Sequence, residues 1–134
     1  MYLLDTNICS YLMRRRYPAL TERVRVFPPR ELKISVVTVF ELEFGILRSG
    51  RVEALRRIVN AFLENVEVLP WTEAAAQEAG AVRAELAGRG RPIGAYDVLI
   101  AGHARSLGAV LVTHNRDEFS RVDRLTVEDW VAMA

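Results

Sequence analysis

The segment Ala109-Val-Leu-Val-Thr113 is apolar up to its last residue, and it constrains the fold more than any other stretch. A strand with one wet face alternates apolar and polar residues. A continuous apolar run is buried on both faces, as in a parallel sheet covered by helices on each side. The N-terminal run Met-Tyr-Leu-Leu, stopped by Asp5, follows the same pattern, and Leu32–Ser35 and Val66–Leu69 read as two further short strands. Between them the apolar residues adopt helical spacing: Thr6–Arg16 (Ile8, Tyr11 and Leu12 on one stripe), Ala19–Arg25, Val36–Arg48, Arg51–Asn65, Thr72–Leu86 and Ala95–Leu107. Pro18 is expected to stop the first helix, and Arg14, Arg15 and Arg16 to close its last turn. Arg124–Thr126 is an expected edge strand, and Val127–Ala134 a closing tail. Strands alternating with helices predict a three-layer α/β/α fold around a central, mainly parallel sheet of about four or five strands. At 134 residues, positions 1–134 are expected to form one domain.

Composition excludes several classes. A formal charge of +1 is wrong for a uniformly basic nucleic-acid binder, although every basic residue except Lys33 is Arg. Arginine makes planar, bidentate contacts to phosphate and carboxylate. Arg14–Arg16 either serve the helix dipole or touch a polyanion. The loop Gly88-Arg-Gly-Arg-Pro92 is either a phosphate contact or a solvated turn. The single cysteine, Cys9, cannot form an internal disulfide and reads as a core filler in a reducing compartment. No run approaches the ~18 apolar residues of a membrane span, so the expectation is a cytoplasmic protein with no membrane contact.

The acids carry the chemical signal. Asp5 ends the first strand and either caps the next helix or presents a carboxylate where α/β folds bind ligands. Glu41 interrupts a helix that is apolar nearly all round; it needs an Arg, a metal or a water as partner. Glu43, two positions on, is expected to face solvent. Asp97 lies in the first turn of a helix rich in small residues (Ala95, Ala101, Gly102, Ala104), which are expected to let it pack closely on the sheet. That helix runs antiparallel to the strand Ala109–Thr113, so its N-terminus lies at the strand's carboxyl end. The polar turn His114–Phe119 leaves the same end. Four segments thus bring acids to one edge of the sheet. An oxygen-only set of ligands suits Mg²⁺ or Mn²⁺. Cys9, His103 and His114 show no zinc-ligand spacing, and His103 is expected to be structural. Such a site suits hydrolysis of a nucleic-acid backbone by a metal-activated water.

Leu-Leu-Asp5-Thr6-Asn7, Thr38-Val-Phe-Glu41-Leu-Glu-Phe-Gly45, Tyr96-Asp97-Val-Leu-Ile-Ala-Gly-His-Ala104 and Val112-Thr113-His-Asn115-Arg-Asp-Glu-Phe119 resemble the motifs of PIN-domain ribonucleases of the VapC toxin type. The resemblance implies Mg²⁺- or Mn²⁺-dependent RNA cleavage, a homodimer and a cognate antitoxin. Carried over by position, it implies Asp5 and Asp97 as metal ligands, with Glu41 binding directly or through water. Thr6 and Thr113 would support them by hydrogen bonds. The fourth acid departs from the pattern: Asn115 stands where many PIN domains have Asp, leaving Glu118 or, as its alternative, Asp117 for that role. Two other readings compete. One is a catalytically silent RNA-binding or antitoxin-docking module on the same fold; the other is an aspartate-nucleophile phosphatase, which would want an acid at Asn7. A receiver-like regulatory domain would want a Lys near the acids, and Lys33 lies at the far end of its strand.

Overall fold

The computed structural model describes residues 1–132. Of the expected closing tail, Met133 and Ala134 lie outside the described residues. Five short strands form one sheet in the order β3-β2-β1-β4-β5, every pair parallel. The strands are β1 (Tyr2–Leu4), β2 (Leu32–Ser35), β3 (Glu67–Leu69), β4 (Val110–Val112) and β5 (Val127–Glu128). The helices are α1 (Thr6–Met13), α2 (Pro18–Arg25), α3 (Val36–Arg48), α4 (Val52–Leu63), α5 (Glu73–Gly88), α6 (Ala95–Leu107) and α7 (Arg116–Phe119).

Period-two alternation assigns the faces. Leu3 and Leu111 join the core made with α5 and α6, beside Val82 and Ile100. Leu4, Ile34 and Val112 join the opposite core, with Ile8, Leu20 and Trp130. Each of these leucines is fully buried, a contribution of about 1.5–3 kcal/mol per side chain. Beginning at β1, the chain adds β2 and β3 on one side and then β4 and β5 on the other. The order therefore reverses between β1 and β4, and open parallel sheets leave a crevice at the carboxyl ends of such a strand pair.

Several boundaries differ from the sequence expectation. The first helix ends at Met13, so Arg14–Arg16 lie beyond its last turn. Arg15 takes a left-handed backbone (φ +50°), and the Arg16 N–H returns to the Tyr11 carbonyl at 3.0 Å. This is the glycine-type helix stop made without glycine. Pro18 starts α2 rather than ending α1, since its missing N–H is harmless at a first helical position. The edge strand is Val127–Glu128, not Arg124–Thr126. Arg124 has φ +58° and cannot be extended, while β4 sets the register: Leu111 N–H bonds to Thr126 O (2.8 Å) and Thr113 N–H to Glu128 O (3.0 Å). The expected polar turn after β4 contains the short helix α7. Glu43 faces solvent as expected, its side chain 43% exposed, and there forms a two-pronged ion pair with Arg56 of α4 (2.5 and 2.7 Å).

The small residues of α6 make their tightest approach to α5 rather than to the sheet. A Cβ on Gly102 would lie 2.4 Å from both N and Cα of Ala79. Arg105, its side chain 2% exposed, adds ion pairs to Glu78 (2.8 Å) and Glu85 (3.0 Å) of α5. His103 is buried against Ser35 (Nδ1 to Oγ, 2.8 Å), and Ser35 also caps α3 by accepting the Val37 N–H at 3.1 Å. Burial holds the His103 pKa below its ordinary value, so the ring is neutral and tethers the start of α3 to α6. Cys9 is fully buried. Among the described residues no helix is long and apolar enough to cross a membrane.

Candidate metal-dependent active site

Asp5 leaves the end of β1 at the point of strand reversal, its N–H bonded to Val112 O of β4 (3.1 Å). The cap and site readings of this residue are compatible. One carboxylate oxygen accepts the Ile8 N–H at 2.8 Å, and the Thr113 hydroxyl lies close enough to favour the charged form. Asp5 is nonetheless 3% exposed. Burial pushes its pKa up from 3.8 to about 6, the Thr113 and Ile8 bonds pull it down, and the nearby Glu41 charge raises it again.

Glu41 comes from α3, and Thr6 donates its hydroxyl to Glu41 Oε1 at 2.6 Å. The Thr6 hydroxyl also lies 3.0 Å from that of Thr38. Thr38 sits one turn before Glu41 and is fully buried; the sequence signals its polar role only through the i, i+3 spacing to Glu41.

Asp97, half-buried, lies in the first turn of α6, where Gly94 leaves room for its carboxylate: a Cβ there would sit 3.1 Å from Asp97 Oδ2. Its pKa is raised well above the usual carboxylate range. Burial is the largest cause, followed by a hydrogen bond and like charge from Glu118, then the charges of Asp5 and Glu41. Two adjoining carboxyls cannot both ionise cheaply, so Asp97 gives up its proton less readily than an isolated carboxyl.

Asn115 joins the two halves. Its side-chain N–H donates to Glu118 Oε2 at 2.9 Å, and its backbone N–H donates to Thr113 Oγ1 at 3.0 Å. Asn115 thus aims Glu118 at Asp97 and holds the Thr113 hydroxyl, and an ionised Asp at this position, an acceptor only, could not donate to Glu118. Asp117, by contrast, is 93% exposed and faces Arg121 at 3.8 Å. Asn7 is also exposed. Arg89 of the expected phosphate loop is tied to Asp123 and the Arg121 carbonyl, and Lys33 is tied to Glu67 at 2.8 Å.

Asp5, Glu41, Asp97 and Glu118 therefore act on one another, and among the described residues none of the four has an Arg or Lys ion-pair partner. Also among the described residues, no three His, Cys, Asp or Glu side chains are drawn tightly enough together to grip an ion as they stand. The charges of Asp5, Glu41 and Glu118 nonetheless reach one another or Asp97 and raise the pKa values of Asp5 and Asp97. The donor set is all oxygen and anionic, which fits a small divalent cation of the Mg²⁺ type. A groove of about 320 Å³ adjoins the acids between α1, α3 and α4, with Thr6 and Glu41 at one end and Met13, Leu42, Ile46 and Leu55 along it.

A five-stranded parallel sheet between helices, with acids at its point of strand reversal, defines a PIN-type architecture. The family model for the PIN domain matches residues 2–125, and the chain belongs to that family. It is similar to the tRNA(fMet)-specific endonuclease VapC of Shigella flexneri, 41% identical over 129 residues (96% of this chain and 97% of the relative). It is equally similar to ribonuclease VapC1 of Haemophilus influenzae strain R2866, 41% identical over 131 residues (97% and 98%). Among solved structures, DNA-bound VapBC from Salmonella typhimurium superposes with a TM-score of 0.91 at 40% identity, covering 96% of this chain and 97% of that one.

Proposed function

We propose that this protein is a metal-dependent endoribonuclease and the toxin of a type II toxin–antitoxin pair, acting in the cytoplasm as a homodimer. The observation that carries the reading is the set of four mutually repelling carboxylates, without basic partners among the described residues, at the reversal between β1 and β4. The names of its relatives support the substrate class.

Asp5 and Asp97 would hold Mg²⁺ or Mn²⁺, with Glu41 binding directly or through water. Such an ion supplies an activated water and offsets charge developing on the phosphodiester. Thr6 fixes the Glu41 rotamer, Thr113 orients Asp5, and Asn115 sets Glu118 against Asp97. The raised proton affinity of Asp97 belongs to the metal-free protein; a divalent ion bound there would favour the ionised carboxylate. The groove between α1, α3 and α4 would take a segment of the antitoxin, reaching the acids through Thr6 and Glu41. The stripe Phe40, Phe44 and Leu47 on α3, each at least half exposed, would be covered on assembly.

The test is cleavage of an RNA pool that includes initiator tRNA, with and without Mg²⁺ or Mn²⁺, beside Asp5→Asn and Asp97→Asn. Metal-dependent cuts leaving 5′-phosphates and vanishing in both folded variants are expected. Cuts shared by wild type and variants would refute the assignment, and folded wild type that binds RNA without cutting it would favour the silent module.

A further inference from the structure

Beside the acids lies a second, chemically different surface. The rings of Tyr11 and Tyr17 meet edge to face at 5.0 Å, and His114 lies 5.7 Å from Tyr17 and 6.4 Å from Tyr11. The Arg16 guanidinium sits 5.3 Å over the Tyr17 ring, and its Nε–H donates to the Tyr17 hydroxyl at 3.2 Å. The Arg14 guanidinium lies 6.0 Å over Tyr11. The left-handed turn at Arg15 brings this assembly about by folding residues 16–17 back onto Tyr11. Arg14, Arg15 and Arg16 are all exposed, and among the described residues none of them pairs with a carboxylate.

His114 connects this surface to the acids. It directly follows Thr113 at the end of β4, the strand whose Val112 carbonyl accepts the Asp5 N–H at 3.1 Å. Asp129, 4% exposed and held by the Val131 and Ala132 N–H groups, fixes Nδ1 of His114 at 3.0 Å. The rest of the ring remains on the surface, the side chain 39% exposed. A packing cluster needs neither three unpaired guanidiniums nor a ring held at the surface by a buried carboxylate. Rings that stack bases, with arginines for the flanking phosphates, are the equipment of single-stranded RNA recognition.

We propose that Tyr17 and His114, with Arg16 beside them, form a stacking platform for an unpaired nucleotide of the RNA next to the bond being cut. The assignment rests on the ribonuclease reading above and adds a substrate-positioning role for these residues. Single-stranded loops fit the platform; a paired helix does not offer an unstacked base face.

The experiment measures kcat and KM on a cleaved RNA for wild type, Tyr17→Leu, Tyr17→Phe and Arg16→Ala. It adds fluorescence of the same RNA carrying 2-aminopurine at successive loop positions, bound to protein already bearing Asp97→Asn. Tyr17→Leu is expected to raise KM roughly 5- to 150-fold with kcat within about twofold, as for loss of uniform binding. It should also abolish quenching at one loop position. Tyr17→Phe should retain both, because only the ring face is used. Arg16→Ala should lower the salt dependence of binding by close to one phosphate contact. Wild-type KM and quenching in Tyr17→Leu would overturn the platform while leaving the nuclease standing. So would equal damage from Tyr17→Phe, or variants that keep RNA binding but lose inhibition by the co-expressed partner, which would make this a protein-docking surface. Wild type that neither cuts nor binds RNA would overturn both readings.

Discussion

Replacing Asp5 by Asn should stabilise the metal-free protein near neutral pH. The side-chain oxygen that accepts the Ile8 N–H is retained, and Asn caps a helix as well as Asp does. What disappears is a charge held in a buried position beside Glu41. Ionising a carboxyl raised from 3.8 to about 6 costs the folded state about 3 kcal/mol relative to the unfolded chain. The sign follows from proton counting. Below about pH 4 the carboxyl is protonated in both states and no penalty exists. Between about 4 and 6 the unfolded chain has released its proton and the folded protein has not, so stability falls as pH rises. Above about 6 the whole penalty applies. Urea denaturation in EDTA from pH 4.5 to 8 should therefore show the stability of Asp5→Asn minus that of wild type growing by about 2 kcal/mol toward high pH. Added Mn²⁺ should reverse the order, stabilising wild type by binding only the folded state and leaving the variant nearly unchanged. A difference constant with pH to within about 0.5 kcal/mol would refute the assignment of buried, uncompensated charge to Asp5.

Other outcomes follow from the same geometry. Glu118→Gln should reduce cleavage at least tenfold, whereas Asp117→Asn, altering an exposed group outside the cluster, should leave it within twofold; equal loss in both would contradict the placement of Glu118. Asn115→Asp removes the donor to Glu118 and adds a like charge, so it should destabilise the protein in EDTA by about 1–3 kcal/mol and regain most of that with Mn²⁺, as read by thermal melts. Gly102→Ala drives a methyl into the Ala79 backbone and should cost about 1–3 kcal/mol in urea titrations; because α6 carries Asp97, cleavage should fall as well. An unchanged midpoint would mean that α5 and α6 yield at no cost.

The sequence by itself determined the layered parallel sheet, the order of its main elements and the edge on which the acids gather. These depend on strong local signals: the unbroken apolar run into Thr113, and the capping residues Asp5 and Ser35. Gly108 is another such signal, taking the left-handed conformation (φ +61°) that ends α6 where expected. Only the tertiary structure decided the rest. Whether Glu118 or Asp117 faces Asp97 depends on the turn of a four-residue helix, which no pattern of that length encodes. The edge strand fell at Val127–Glu128 because the free side of β4 chose its register, and the end of α1 lay in an arginine doing a glycine's work. The juxtaposition of Asp5, Glu41, Asp97 and Glu118, and of Tyr17 with His114, is equally non-local. Side chains nearly a hundred residues apart acquire their proton affinities and partners from one another, and that information exists only once the sheet has brought them together.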